Sequence, residues 1–88
     1  TRTQLQDALA ALENGKHGLA FASGMAAIDC IIKLLQPGDE VISTNDLYGG
    51  SYRIFTKVFA QYGIKFHFVP MHDMAAVQSA VTERTRLI

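Results

Sequence analysis

Leu5, Ala8, Leu9 and Leu12 recur at the spacing of one helical face, and Thr3 followed by Gln6 offers a capping box at its start. Asn14-Gly15 ends that helix. From Met25 to Leu35 the chain is apolar almost all round, leaving Asp29, Lys33 and Gln36 as one narrow polar stripe, which predicts a helix buried on most sides. Ser51 to Tyr62 is amphipathic, with Ile54, Phe55, Val58, Phe59 and Tyr62 facing inward and Arg53, Lys57 and Gln61 outward; Gly63 is its C-cap. Met74 to Val81 gives a further short helix.

Between these periodic stretches lie short apolar runs. Leu19 to Ala22, flanked by glycines, reads as a buried strand. Gln36-Pro37-Gly38-Asp39 is a strong turn that delivers the strand Glu40 to Ser43. Ile64 to Val69 alternates as a strand, and Arg86 opens another. Strands and helices thus alternate through loops of a few residues, the pattern of right-handed crossovers feeding a mainly parallel sheet covered by helices. The fold class is α/β, and residues 1–88 form a single domain without repeats, low-complexity stretches or an internal linker. Thr1 in place of an initiator methionine, and a strand opening at Arg86-Leu87-Ile88 with no turn after it, lead to the expectation of an incomplete domain, a segment of a longer protein.

Charge narrows the function classes. Eight Lys plus Arg balance eight Asp plus Glu, so no basic surface points to nucleic acid and no acidic tail points to disorder. With 49% apolar residues the chain has material for a core, yet its length implies marginal stability alone. Cys30, the one cysteine, has no internal partner, which fits a reducing compartment. No stretch approaches the roughly 20 apolar residues of a membrane span, and no leader pattern is seen. The expectation is a cytoplasmic protein with no membrane partner.

In open parallel sheets ligands bind at the carboxyl ends of strands, which directs attention to the loops after Ala22, Ser43 and Val69. In the first, Ala22-Ser23-Gly24-Met25 brings a strand to a helix N-terminus, where outward backbone N–H groups and the helix dipole suit a phosphate. A plain cap at Ser23 and a tight turn at Gly24 explain the same residues, and local sequence does not separate the two. The segment is neither a P-loop nor a three-glycine dinucleotide fingerprint. The second loop, Asn45 to Ser51, sets Tyr48 before Gly49 and Gly50, offering a stacking face and a phenolic O–H that can orient or relay a proton. A tyrosine closing the core edge beside a turn is the alternative there. Taken together, the two loops describe a pocket for a flat, phosphorylated cofactor.

Three motifs, in this order and spacing, resemble the cystathionine gamma-synthase, cystathionine lyase and methionine gamma-lyase family: Ala22-Ser23-Gly24-Met25-Ala26-Ala27-Ile28, Gln36-Pro37-Gly38-Asp39-Glu40-Val41, and Asp46-Leu47-Tyr48-Gly49-Gly50-Ser51-Tyr52-Arg53. Each is weak alone; the resemblance rests on all three and covers the whole chain, Thr1-Arg2 matching the end of an Asn-Pro-Thr-Arg segment. It implies the large domain of a fold-type I pyridoxal-phosphate enzyme, a parallel sheet with helices on both faces, assembled as dimers paired into tetramers. It further implies that Gly24 and Met25 offer N–H groups to the cofactor phosphate with Ser23 shaping the turn. Tyr48 would stack on the pyridine ring and assist proton movement, with Gly49 and Gly50 allowing a sharp turn beside it. The implied substrates are sulfur amino acids or activated homoserine, reacting at the beta or gamma carbon. The family's cofactor-binding lysine, its aspartate at the pyridine nitrogen and its substrate-carboxylate arginine have no counterpart here, so the segment alone is expected to be inactive.

Other residues carry simpler readings. Lys16, Lys33, Lys57 and Lys65 read as solvated rim residues, and Cys30 as a small buried hydrophobe. His17, His67 and His72 lack metal-site spacing, Arg53 reads as a surface residue, and Met71 and Met74 as packing. Two rival functions stay open at this level: a non-catalytic module binding a phosphometabolite through Ser23-Gly24, and a purely structural fragment.

Overall fold

The computed structural model describes residues 1–88. Its strands, β1 (Glu40–Thr44), β2 (Lys65–Val69) and β3 (Thr85–Leu87), form one parallel sheet in the order β2-β1-β3. β1 and β2 pair in step from Glu40 opposite Lys65 to Thr44 opposite Val69, whereas the short β1–β3 ladder shifts register between Glu40 and Val41. The helices are α1 (Arg2–Leu12), α2 (Gly24–Ile32), α3 (Gly49–Arg53) and α4 (Met74–Ala80). A π-helical turn, Ile54–Val58, and a 3-10 turn, Phe59–Tyr62, carry α3 onward, so the expected second amphipathic helix is one rod of changing pitch.

From β1 the chain moves to β2 on one side, and from β2 it returns past β1 to β3 on the other. Right-handed crossovers in opposite directions put their helices on opposite faces of the sheet. Burial agrees: successive residues Val41 and Ile42 point to opposite faces of β1, and both are buried. On the Val41 face, Ile32 of α2, Phe55 and Phe59 of the long rod, and Ile64 close into the main core. Phe55 stacks on Phe66 with ring centroids 4.5 Å apart and planes 8° apart. Across the sheet, α4 packs against β2 and buries Val77.

Local chemistry sets the element ends. Ser23 caps α2, and Asp73 caps α4 by accepting the Ala76 N–H at 3.2 Å. Gly63 ends the rod with φ 84°, a left-handed conformation that costs glycine little, and its carbonyl accepts the Gly38 N–H at 2.8 Å. This bond ties the turn before β1 to the turn before β2.

Several expectations need correction. Leu19 to Ala22 is not a strand. A strand requires a ladder partner, and here the Ala20 backbone is claimed by α1 instead: Arg2 donates to its carbonyl at 2.8 Å and Gln6 Oε1 accepts its N–H at 2.9 Å. Gln6 therefore serves no capping box, and α1 starts at Arg2 without a side-chain cap. α1 buries none of its residues, and Leu5, Leu9 and Leu12 stay exposed. Val58, Tyr62, Met71 and Met74, expected to pack, are exposed as well, and Cys30 is only half-buried. Only eight of 88 residues are buried, so the core is small. No helix is long and apolar enough to cross a membrane.

Candidate functional site

β1 and β2 are neighbours whose following helices lie on opposite faces, the condition that opens a crevice at the carboxyl ends of strands. The Asn45 N–H donates to the Val69 carbonyl at 3.0 Å, holding the two strand ends together there. The loop after β1 ends in Tyr48, the residue before α3, with extended backbone (φ −54°, ψ 132°) and no capping bond from its side chain. Tyr48 is 74% exposed, so its phenol is available rather than plugged into the core.

At the start of α2, Ser23 is extended (φ −153°, ψ 160°) and its hydroxyl accepts the Ala26 N–H at 3.1 Å. The Ser23 carbonyl takes the Ala27 N–H at 3.2 Å. That leaves the Gly24 and Met25 N–H groups as the donors of the first turn with no acceptor in the chain. The first turn carries no acidic side chain, and a Cβ placed on Gly24 would meet nothing within 4 Å. Two amide donors without an acceptor at the positive end of a helix suit an anion such as phosphate.

The two loops meet through Met25. Its thioether sulfur lies 3.8 Å from the Ser51 hydroxyl, which donates to it, and Ser51 is buried near the start of α3. The structure thus brings Ser23, Gly24, Met25 and Tyr48 into one neighbourhood. The contribution of Ser51 to that junction is not legible in the sequence, because it depends on how α2 and α3 approach each other.

The remaining candidates lie elsewhere. Lys33 stands at the far end of α2, where Asp29 Oδ2 is 2.8 Å from its Nζ, and this hydrogen bond, aided by the carboxylate charge, raises the ammonium pKa. An amine held protonated is the reverse of a nucleophile. Lys65 sits at the amino end of β2, Lys16 is exposed in the loop after α1, and Lys57 is exposed on the rod. His67 pairs with Glu40 inside the sheet, with Nε2 and Oε1 2.6 Å apart. A cleft of about 480 Å³ between α2 and the end of the rod, lined by Ile32, Val58, Phe59 and Ile64 among others, is separate from Ser23 and Tyr48.

Comparison with known proteins gives this geometry its context. A probable cystathionine gamma-synthase of Herpetosiphon aurantiacus is 49% identical over 88 residues, spanning 100% of this chain and 28% of that protein. A cystathionine gamma-synthase/O-acetylhomoserine (thiol)-lyase of Bacillus subtilis is 47% identical over 88 residues, 100% of this chain and 24% of that one. Among solved structures, cystathionine gamma-lyase from Lactobacillus plantarum, complexed with L-serine, superposes with a TM-score of 0.86 at 42% identity, covering 90% of this chain and 21% of that one. The chain therefore spans about a quarter of the length of these relatives. With the Cys/Met metabolism PLP-dependent enzyme profile matching residues 1–88 in full, the chain belongs to that family.

Proposed function

We propose that this chain carries the phosphate-binding and ring-stacking part of a pyridoxal-phosphate site. The full-length protein then acts on sulfur amino acids or activated homoserine in trans-sulfuration, at the beta or gamma carbon. The observation that carries the reading is the pair of unengaged N–H groups at Gly24 and Met25, joined through Met25 to the loop that presents Tyr48.

The residues fit the cofactor on chemical grounds. Open space over Gly24 admits a phosphate close to the backbone, and the absence of an acidic group in the first turn avoids repulsion. Tyr48 adds a flat, exposed face for the pyridine ring. When bound, pyridoxal phosphate supplies an electron sink for bond making and breaking beside the substrate's amine-bearing carbon. In this reading Gly24 and Met25 hold the phosphate through their N–H groups, and Ser23 keeps the turn open by spending its own hydroxyl on Ala26. Tyr48 orients the ring and holds or moves a proton near the leaving group through its phenol. The reading also carries a homodimer paired into a tetramer, in the cytoplasm, with the exposed apolar residues of α1 covered by the rest of the protein.

A visible absorption spectrum of the full-length protein tests this, before and after borohydride and followed by peptide mapping. A yellow species bleached by borohydride, with the adduct on a lysine outside these 88 residues, is the expected result. No chromophore after incubation with excess cofactor overturns the enzyme reading.

A further inference from the structure

A Cβ built on Gly50 would lie 2.6 Å from Tyr48 Cε2, 3.2 Å from Tyr48 Cδ2 and 3.2 Å from Met25 Sδ. The ring edge of Tyr48 thus lies against the bare Cα of Gly50, and the Met25 sulfur approaches the same point from α2. Gly50 is not among the glycines with positive φ, so what it provides is space and not an unusual conformation. Its neighbour Gly49 is a natural contrast, because a Cβ there would meet nothing within 4 Å.

From this we infer that Gly50 is a positioning residue: the room it leaves sets where the Tyr48 ring stands relative to the Gly24 and Met25 N–H groups. The inference deepens the proposed function and rests on it for the identity of the ligand, though not for the placement itself. An added methyl group must be met by movement. Of the two neighbours, the Tyr48 ring is both the nearer and rigid, and it is 74% exposed, so it can swing toward solvent at small cost. Crowding at position 50 is therefore relieved by displacing the ring while the fold persists.

The test uses the full-length protein with 3-fluorotyrosine incorporated and fluorine NMR. In the cofactor-free state the Tyr48 resonance is identified by its loss in Tyr48→Phe. Gly50→Ala is expected to shift that resonance, while Gly49→Ala leaves it in place. An unmoved resonance in Gly50→Ala, or equal shifts in both variants, overturns the inference. Pyridoxal 5′-phosphate titration supplies the second readout. Gly50→Ala should weaken binding, but the double variant Tyr48→Ala, Gly50→Ala should bind no more weakly than Tyr48→Ala alone. Additive losses would mean that Gly50 acts on the ligand directly and not through Tyr48. If the unmodified protein takes up no cofactor, the proposed function falls, and the cofactor-free spectra decide the placement by themselves.

Discussion

His67 Nε2 lies 2.6 Å from Glu40 Oε1, a side-chain bond that bridges β2 and β1 within the sheet. Both groups are largely shielded from solvent, at 25% and 12% side-chain exposure, so the pair is not a loose surface contact.

This bond makes stability depend on pH in a defined direction. The Glu40 carboxyl is held below its ordinary value of 4.5, first by the hydrogen bond from His67, against an opposing push from partial burial. Thr82 and the charge of Lys65 lower it further. A lowered pKa in the folded state means that the unfolded chain binds more protons in this range. The contribution is complete above pH 4.5 and is lost as pH falls through the lowered value. Thermal unfolding of the full-length protein between about pH 5 and about pH 3 should show a steeper loss in the unmodified protein than in Glu40→Gln. Parallel curves would show that the pair contributes nothing.

Ser23 separates capping from cofactor binding. Ser23→Ala should cost about 1 kcal/mol of stability through the lost bond to Ala26. Ser23→Asp keeps a good cap and suits the helix dipole, so the cofactor-free protein should be as stable as the original. Yet the new carboxylate faces the proposed phosphate, and affinity for pyridoxal phosphate should fall sharply. Retained affinity in Ser23→Asp would mean that no anion binds there.

Tyr48 divides into ring and hydroxyl. Tyr48→Phe keeps the stacking face and should bind the cofactor normally, while kcat drops on the order of 10²-fold from the lost phenol. Tyr48→Ala removes the face as well and should weaken cofactor binding by about 0.5–1.5 kcal/mol, near tenfold at the upper end. Steady-state kinetics with cofactor titration distinguishes the two effects.

In the core, Phe55 is 6% exposed and stacked on Phe66. Phe55→Ala should destabilise by about 3–5 kcal/mol, as measured by denaturant unfolding. A double-mutant cycle with Phe66→Ala should return a coupling of about 0.5–1.5 kcal/mol for the aromatic pair.

Local signals account for the parts of this fold that were legible in the sequence. Ser23 and Gly63 announced their caps, the Pro37-Gly38 turn announced β1, and the periodicity of Phe55 and Phe59 found the core face. What escaped depends on distant partners. The run Leu19 to Ala22 has strand composition, but its backbone is engaged by Arg2 and Gln6, eighteen and fourteen residues away from Ala20. The π-helical turn after Arg53 follows no composition rule; the Thr56 hydroxyl donating to the Tyr52 carbonyl at 2.8 Å accompanies it. At the site, Ser23, Gly24, Met25 and Tyr48 were readable as two loops, with Gly49 and Gly50 beside the tyrosine, whereas the approach of Met25 to Gly50 and Ser51 emerges only once α2 meets α3.

If the Gly24 and Met25 N–H groups hold the cofactor phosphate, proline at position 24 removes one of the two holding bonds. Gly24 is the first residue of α2, where proline is well tolerated, and Ser23 before it already has the extended backbone that proline demands. Gly24→Pro thus deletes one free donor while the helix is kept. The measurement is the affinity of the full-length protein for pyridoxal 5′-phosphate relative to pyridoxal, which lacks the phosphate. A hydrogen bond to a charged group contributes about 1.5–3 kcal/mol, so the preference for the phosphorylated form should fall by about tenfold or more in Gly24→Pro. An unchanged preference in a folded variant would mean that the Gly24 N–H does not hold the phosphate.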